Sequence, residues 1–374
     1  MIYFDNAATT PMFPEVIETI SKLMIQVWGN PSSVHHYGRT ARVQIERARR
    51  FVAEAMNVSP SEIFFNSGGT EGNNMVLRLA VQNLGIKRIV TSPLEHPSVL
   101  RTAEWLAAHT DCELSLLAVD GLGHFENTQL EQILADKKPT LVSLMHANNE
   151  ISNLLSIKDV STLCHKYNAL FHSDMVQTVG HYQIDLQAID VDFIASSAHK
   201  FHGPKGVGFL YINPERVRME SWFTGGGQER NMRPGTENIT GIVGLAKALE
   251  LSLTDIDAKI AHVKGLKKLM IQELQSFLPS VSFIGDSEER GLYTVLSVVF
   301  PANKYDEMLV ANLDIEGIAA SMGSACASGT SVGSHVIEAL AYAPDTYPIR
   351  FSFSHMNTPD EVRTCTAVLR KLLV

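Results

Sequence analysis

The sequence predicts a wound α/β protein: a large domain with a mostly parallel seven-stranded sheet covered by helices, then a smaller α+β domain. Three observations lead there. From about residue 13 to 255, short apolar runs alternate with amphipathic helical stretches. Several runs are apolar throughout, as strands covered on both faces are. Beyond that region a long helical stretch leads into a different rhythm of strands and helices.

The seven runs are EIFF (62–65), RIVTS before Pro93, ELSLLAV (113–119), LVSLMH (141–146), ALFHSD (169–174), DFIASS (192–197) and VGFLYI (207–212). Between them lie helical patterns. One, Arg42 to Arg50, carries four arginines with Val43, Ile45 and Ala48 between them, and reads as an amphipathic helix with a solvated basic face. The stretch from Asn238 to Phe277, interrupted near Asp255, is the expected joint. After it come YTVLSVVF, a helix from about Asp306, IAAS, PIRFSFS and a final helix from Pro359. The expected division is therefore 13–255 for the large domain, with 1–12 and 256–374 forming the small one.

Composition narrows the function. The 374 residues are 45% hydrophobic and 19% charged, which excludes intrinsic disorder. Net charge is -9, so no positive field exists to draw in a nucleic acid. No run of about 18 apolar residues and no basic leader occur, so a cytoplasmic protein without membrane contact is expected. The 4 cysteines, Cys112, Cys164, Cys326 and Cys365, stand far apart with no CxxC, which argues against a disulfide framework or a zinc site.

Polar residues collect at the C-terminal ends of the expected strands, where open α/β sheets bind ligands. After EIFF comes Ser67-Gly68-Gly69-Thr70-Glu71-Gly72-Asn73-Asn74, a turn opening a helix whose free N–H groups suit a phosphate. Later ends deliver Glu95-His96, His146 with Asn149, Asp174 with Gln177, and Ser197, His199 and Lys200. Taken singly, Lys200 or Lys205 reads as a surface lysine, Asp174 as a helix cap and the histidines as packing residues. Together a lysine, a neighbouring carboxylate and a phosphate cradle are the parts a pyridoxal phosphate (PLP) enzyme needs.

Over nearly its whole length the chain resembles the cysteine desulfurases of the NifS/IscS type, in the class V aminotransferase group. The resemblance is carried by DNAATTP (5–11), GNPSSVH (29–35), SGGTEGNN (67–74), LEHPSVL (94–100), HANNEIS (146–152), HSDMVQTVGH (172–181), SSAHKFHGPKGVGFLY (196–211), GGGQERNMRPGTEN (225–238), GSACASG (323–329) and IRFSFS (349–354). It implies the PLP-dependent transferase type I fold and a homodimer. It implies that Lys200 holds PLP as a Schiff base, Asp174 contacts the pyridine nitrogen, Gln177 the ring hydroxyl, and His96 stacks on the ring and serves as a proton carrier. Gly69, Thr70, Ser197 and His199 would hold the phosphate, joined by Thr236 of the second subunit. Asn149 and Arg350 would orient L-cysteine, and Cys326 would take its sulfur as a persulfide.

Cys326 differs from the other cysteines in its setting. It lies in Ser321-Met322-Gly323-Ser324-Ala325-Cys326-Ala327-Ser328-Gly329, small and polar on both sides, which suits a thiol kept for reactivity. The resemblance further implies transfer of the sulfur to an acceptor protein of iron–sulfur cluster assembly or thiolation. A selenocysteine lyase or an aminotransferase of the same fold is the alternative enzyme reading, and an inactive binding protein the non-enzyme one. Three features depart from the family pattern: Phe353-Ser354-His355 stands where a Leu-Gly-Arg-like stretch is usual, the stretch between Cys326 and Arg350 is slightly short, and Leu373-Val374 follows the last helix directly.

Overall fold

The computed structural model describes residues 1–218, 220–221, 223–287, 291–301, 308–323, 334–342 and 348–374. Strand β1 (Ile2–Tyr3) precedes helices α1 (Pro14–Gln26) and α2 (His36–Ala55). There follow β2 (Ile63–Asn66), α3 (Gly69–Asn83), β3 (Arg88–Thr91), α4 (Pro97–His109), β4 (Glu113–Leu116), α5 (Asn127–Leu134), β5 (Thr140–Ser143), α6 (Ile157–Lys166), β6 (Leu170–Asp174), α7 (Leu186–Ile189), β7 (Phe193–Ala195) and β8 (Gly208–Ile212). Helices α8 (Ile239–Leu253) and α9 (Ile256–Phe277) lead to β9 (Ser282–Phe283), β10 (Val295–Val299), α10 (Leu309–Ile315), β11 (Ile318–Ala319), β12 (Ser321–Met322), α11 (His335–Ala339), β13 (Ile349–Ser352) and α12 (Pro359–Leu373).

All seven expected runs form one sheet, in the order β2-β8-β7-β6-β5-β3-β4. Its β7, β6, β5, β3 and β4 run parallel, while β8 pairs antiparallel with both β7 and β2. Strand β4 ends at Leu116 rather than running to Val119. It is an edge strand with one neighbour, and Leu116 already faces solvent. Phe171, Phe193 and Phe209 on the inner strands are fully buried, as apolar runs between two helical layers should be.

Asp255, in the left-handed region at φ 50°, breaks the stretch from Asn238 to Phe277 into α8 and α9. Beyond the break a second sheet, β12-β13-β10-β9, is antiparallel throughout. Phe4 packs with Val263, Leu296, Phe351 and Leu369 in a cluster of its own, apart from the one that joins Phe13, Phe171 and Leu249. The helix expected from about Asp306 begins at Leu309 among the described residues.

One sequence expectation is corrected. The basic face of α2 is not wholly solvated, because Arg49 is buried: Nη1 and Nη2 each donate to Glu229 at 2.7 Å, and Nη1 also donates to the Ile63 carbonyl at 2.9 Å. Glu229 in turn accepts the Phe65 amide at 2.8 Å. This bidentate pair, with a second between Arg233 and Glu71, moors the Gly-rich segment 225–238 to α2, β2 and α3 of its own chain. Removing Glu229 leaves the buried Arg49 with the partly exposed Glu46, 3.3 Å away, as its remaining counter-charge among the described residues. Glu229→Ala is therefore expected to lower stability by about 3–5 kcal/mol, read as a fall in the denaturant midpoint; a loss near zero would show that Arg49 reaches water.

Several histidines are held uncharged by burial. His146, His172 and His355 are lowered to about 4 and His202 to about 3, with burial the leading cause in each. His172 Nδ1 meets Ser143 Oγ at 2.8 Å, and His202 Nδ1 donates to the Pro11 carbonyl at 2.8 Å. Because the folded values lie below the ordinary 6.5, the unfolded chain binds more protons through that window. Stability should thus be complete above about pH 6.5 and fall steadily toward about pH 4. Denaturant titrations at several pH values check this, and His172→Gln should make the slope shallower.

Candidate active site

The parallel strands end at one edge of the large sheet, and most of the expected site residues meet there. Asp174 is the last residue of β6, and Lys200 sits in the short turn Ala198–Lys200 between β7 and β8. Gly69 opens α3, and Gly68 before it has φ 141°, a conformation that disfavours a side chain. A Cβ on Gly69 would stand 2.5 Å from Val176 Cγ2, so the start of α3 is open only to backbone. Its N–H donates to Ser197 Oγ at 2.7 Å.

A cavity of about 190 Å³ is lined by Gly69, Thr70, His96, Asn149 and Asp174, and also by Gln177, Ser197, His199, Lys200 and Arg350. An adjoining cavity of about 370 Å³ shares Gly69, Thr70, Ser197 and His199 and adds Lys205. Thr236 lies elsewhere, in a smaller cavity with Asn66, Arg233 and Glu237. Cys326 lies outside the described residues.

Several polar groups in the main cavity are held by hydrogen bonds. Asp174 is buried; Oδ2 accepts from Asn73 Nδ2 at 2.7 Å and Oδ1 from the Val176 amide at 2.9 Å. Lys200 Nζ donates to the carbonyls of Ala7 at 2.5 Å and Ala8 at 2.9 Å, and Gln177 Nε2 shares the Ala7 carbonyl at 3.1 Å. His181 Nε2 donates to the Lys200 carbonyl at 2.9 Å, fixing the turn from behind. Arg350 is 1% exposed; Nη2 pairs with Asp5 Oδ1 at 2.8 Å, Nη1 donates to the Asn149 carbonyl at 3.1 Å, and Nε has no partner among the described residues.

The electrostatics follow from burial. His96 is lowered below the ordinary imidazole value chiefly by burial, which Asp174 opposes and Lys200 and His335 reinforce. His199 falls to about 4 through burial, with Lys200 and Lys205 adding to it. Burial also pushes Glu95 well above the usual carboxyl range and raises Glu150, which accepts from Ser334 Oγ at 2.5 Å. Uncharged imidazoles beside an amine, a carboxylate and a guanidinium make a site able to bind an anionic amino acid and move a proton at its α-carbon.

Some parts of the site were not singled out from sequence. Ala7 and Ala8 accept from Lys200, and Asp5 pairs with Arg350, although DNAATTP carried no assigned role. Asn73 and Ser98 also line the cavity. Their one sequence signal is position: Asn73 stands one helical turn beyond Gly69 and Ser98 two residues beyond His96.

Comparison with known proteins places the chain. It matches the family "Aminotransferase class-V" over residues 2–364. It is 38% identical over 377 residues to "Cysteine desulfurase IscS" of Dictyoglomus turgidum, covering 100% of this chain and 94% of that one. Among solved structures, a "NIFS-LIKE PROTEIN" superposes with a TM-score of 0.91 at 34% identity, covering 99% of this chain and 98% of that one. Another, "SspA in complex with cysteine", gives a TM-score of 0.80 at 28% identity, over 96% of this chain and 100% of that one. With its wound sheet, lysine turn and buried carboxylate, the chain belongs to the class-V aminotransferase family, in its NifS/IscS cysteine desulfurase group.

Proposed function

We propose that this protein is a PLP-dependent cysteine desulfurase that converts L-cysteine to L-alanine and carries the sulfur as a persulfide on Cys326. The observation that most supports this is the convergence of Lys200, Asp174, His96 and Arg350, from four separate segments, on one cavity. We take residues 13–255 as the cofactor-holding domain and 1–12 with 256–374 as the domain carrying Cys326. The packing of Phe4 with residues beyond 262 supports that division.

The residues present fit PLP. A side-chain-free helix start with Ser197 beside it suits a phosphate, and the buried, acceptor-only Asp174 suits a protonated ring nitrogen. Bound there, PLP would supply an electron-accepting ring that stabilises negative charge at the α-carbon of an amino acid.

The chain's own groups would do the rest. Lys200 would hold the cofactor through Nζ and, once substrate has displaced it, take the α-proton. Gly69, Thr70, Ser197 and His199 would hold the phosphate, Gln177 the ring hydroxyl, and His96 would lie against the ring. Arg350, whose buried Nε has no acceptor among the described residues, would grip the substrate carboxylate beside Asn149. Thr236, which is not in this cavity, would serve the site of a second subunit in a homodimer. Cys326 thiolate would attack the substrate sulfur: a Sγ–S bond forms, the Cβ–S bond breaks, and its electron pair with a proton completes the methyl group of alanine. An acceptor protein would then take the sulfur.

Lys200→Ala should abolish turnover and the visible absorption of the lysine-bound cofactor, whereas Lys205→Ala should keep both; the reverse result would reassign the lysine. Cys326→Ser should still bind PLP and L-cysteine, seen as a shifted cofactor band, yet form neither alanine nor persulfide. Mass spectrometry of the Cys326 peptide should find one added sulfur in the wild type alone. Normal alanine formation by Cys326→Ser would favour the lyase reading.

A further inference from the structure

Arg350 is buried, and among the described residues Asp5 is the one carboxylate in ion-pair contact with it, Oδ1 lying 2.8 Å from Nη2. Nη1 donates to the uncharged Asn149 carbonyl, and Nε has no acceptor among the described residues. Burial raises Glu150 most, against the pull of Ser334 and Arg350, so Glu150 supplies no full counter-charge. Arg350 lines the main cavity and Asp5 does not, so Asp5 meets whatever binds there through the guanidinium. Its main chain is tied to the strand that bears Arg350. Asp5 and Ser352 form a parallel bridge, Ser352 N donates to the Phe4 carbonyl at 2.7 Å, and the Asp5 carbonyl accepts the Ala8 amide at 3.1 Å. The carboxylate therefore has little room to withdraw when a second anion arrives. A guanidinium has five N–H donors and holds two carboxylates at once, but the two anions then share one positive charge and repel each other across it.

We propose that Asp5 is a positioning residue that orients Arg350 and neutralises part of its charge, so that the site grips an amino-acid carboxylate loosely enough to release its product. This rests on the reading of Arg350 as the carboxylate anchor of a desulfurase. The α-carboxylate is common to L-cysteine and L-alanine and lies away from the Cβ–S bond that breaks. A grip on it is felt alike before, during and after the reaction, which tightens substrate and product without speeding the step between them. An unneutralised guanidinium would hold L-alanine as firmly as L-cysteine. Orientation comes from the Asp5 oxygen and attenuation from its charge, and two substitutions separate them: Asp5→Asn keeps an acceptor and removes the charge, whereas Asp5→Ala removes both.

The test titrates PLP-loaded protein with L-alanine, which has no sulfur to give, and with ethylamine, which lacks the carboxylate, reading the cofactor absorption. Asp5→Asn should bind L-alanine about tenfold more tightly than the wild type and ethylamine within about twofold of it. KM for L-cysteine should fall by a similar factor while kcat does not rise. Asp5→Glu keeps the charge and should not tighten L-alanine, and Asp5→Ala should bind it more weakly than Asp5→Asn. Melting supplies a readout that needs no turnover: without ligand Asp5→Asn should melt below the wild type, its Arg350 lacking that counter-charge, and saturating L-alanine should narrow the gap. Unchanged or weaker L-alanine binding by Asp5→Asn, or an equal tightening of ethylamine, would overturn the proposal. Arg350→Leu tests the reading beneath it. Wild-type affinity for L-alanine in that variant would refute Arg350 as the anchor and the proposal with it, whereas lost affinity there, with no effect of Asp5→Asn, would refute the role of Asp5 alone.

Discussion

The site depends on one seam, the segment Asp5–Thr10, which is fastened on both sides. Toward the small sheet, Ser352 N donates to the Phe4 carbonyl at 2.7 Å, Ala7 N to Ser352 Oγ at 2.9 Å, and Asp5 pairs with Arg350 at 2.8 Å. Toward the large sheet, Thr10 N donates to the His199 carbonyl at 2.9 Å, His202 N to Thr10 Oγ1 at 2.7 Å, and Lys200 Nζ to Ala7 and Ala8. Buried backbone groups must be paired. Their pairing here sets the distance between the Lys200 amine and the Arg350 guanidinium, so the reacting and anchoring ends of a substrate would be gauged by one strip of main chain.

Charge in the cavity is carried by few groups. Glu95 and Glu150, though close by, are pushed by burial toward their neutral forms, and the histidines are held uncharged. Among the described residues, what remains is the amine of Lys200 and the guanidinium of Arg350 against Asp174 and Asp5. In a low-dielectric setting each charge acts with little dilution, so Asp5 partly neutralises Arg350 before any substrate arrives, while Arg350 Nε finds no acceptor among the described residues.

Much of this was legible in the sequence, for physical reasons. A strand buried on two faces has to be apolar throughout, which exposed the strands of the large sheet, and their ends carry the groups with distinctive chemistry, Lys200 and Asp174. Arg49 misled because three of its neighbours on α2 do face solvent; its partner Glu229 is 180 residues away. The pairing of Asp5 with Arg350 spans 345 residues and no local pattern foretells it. Asn73 and Ser98 stayed hidden because a lone amide in a helix and a serine beside a cap are ordinary, and their contact appears only where α3, α4 and β6 meet. Cys326 is the reverse case, marked by its small polar neighbours in sequence and outside the described residues in space.

The same seam bears on how the chain reaches its working form. Asp5 leaves the ribosome long before Arg350 and Ser352 are made, and Thr10 before His199. The β7–β8 turn that presents Lys200 is local and can form as soon as its two strands exist, whereas the strip that seals the cavity must wait for β13, and contacts of such long sequence separation form slowly. A half-made chain therefore displays a lysine turn with no anchoring guanidinium opposite it. Docking of the first residues onto β13 is the event that brings the Arg350 guanidinium opposite the Lys200 amine.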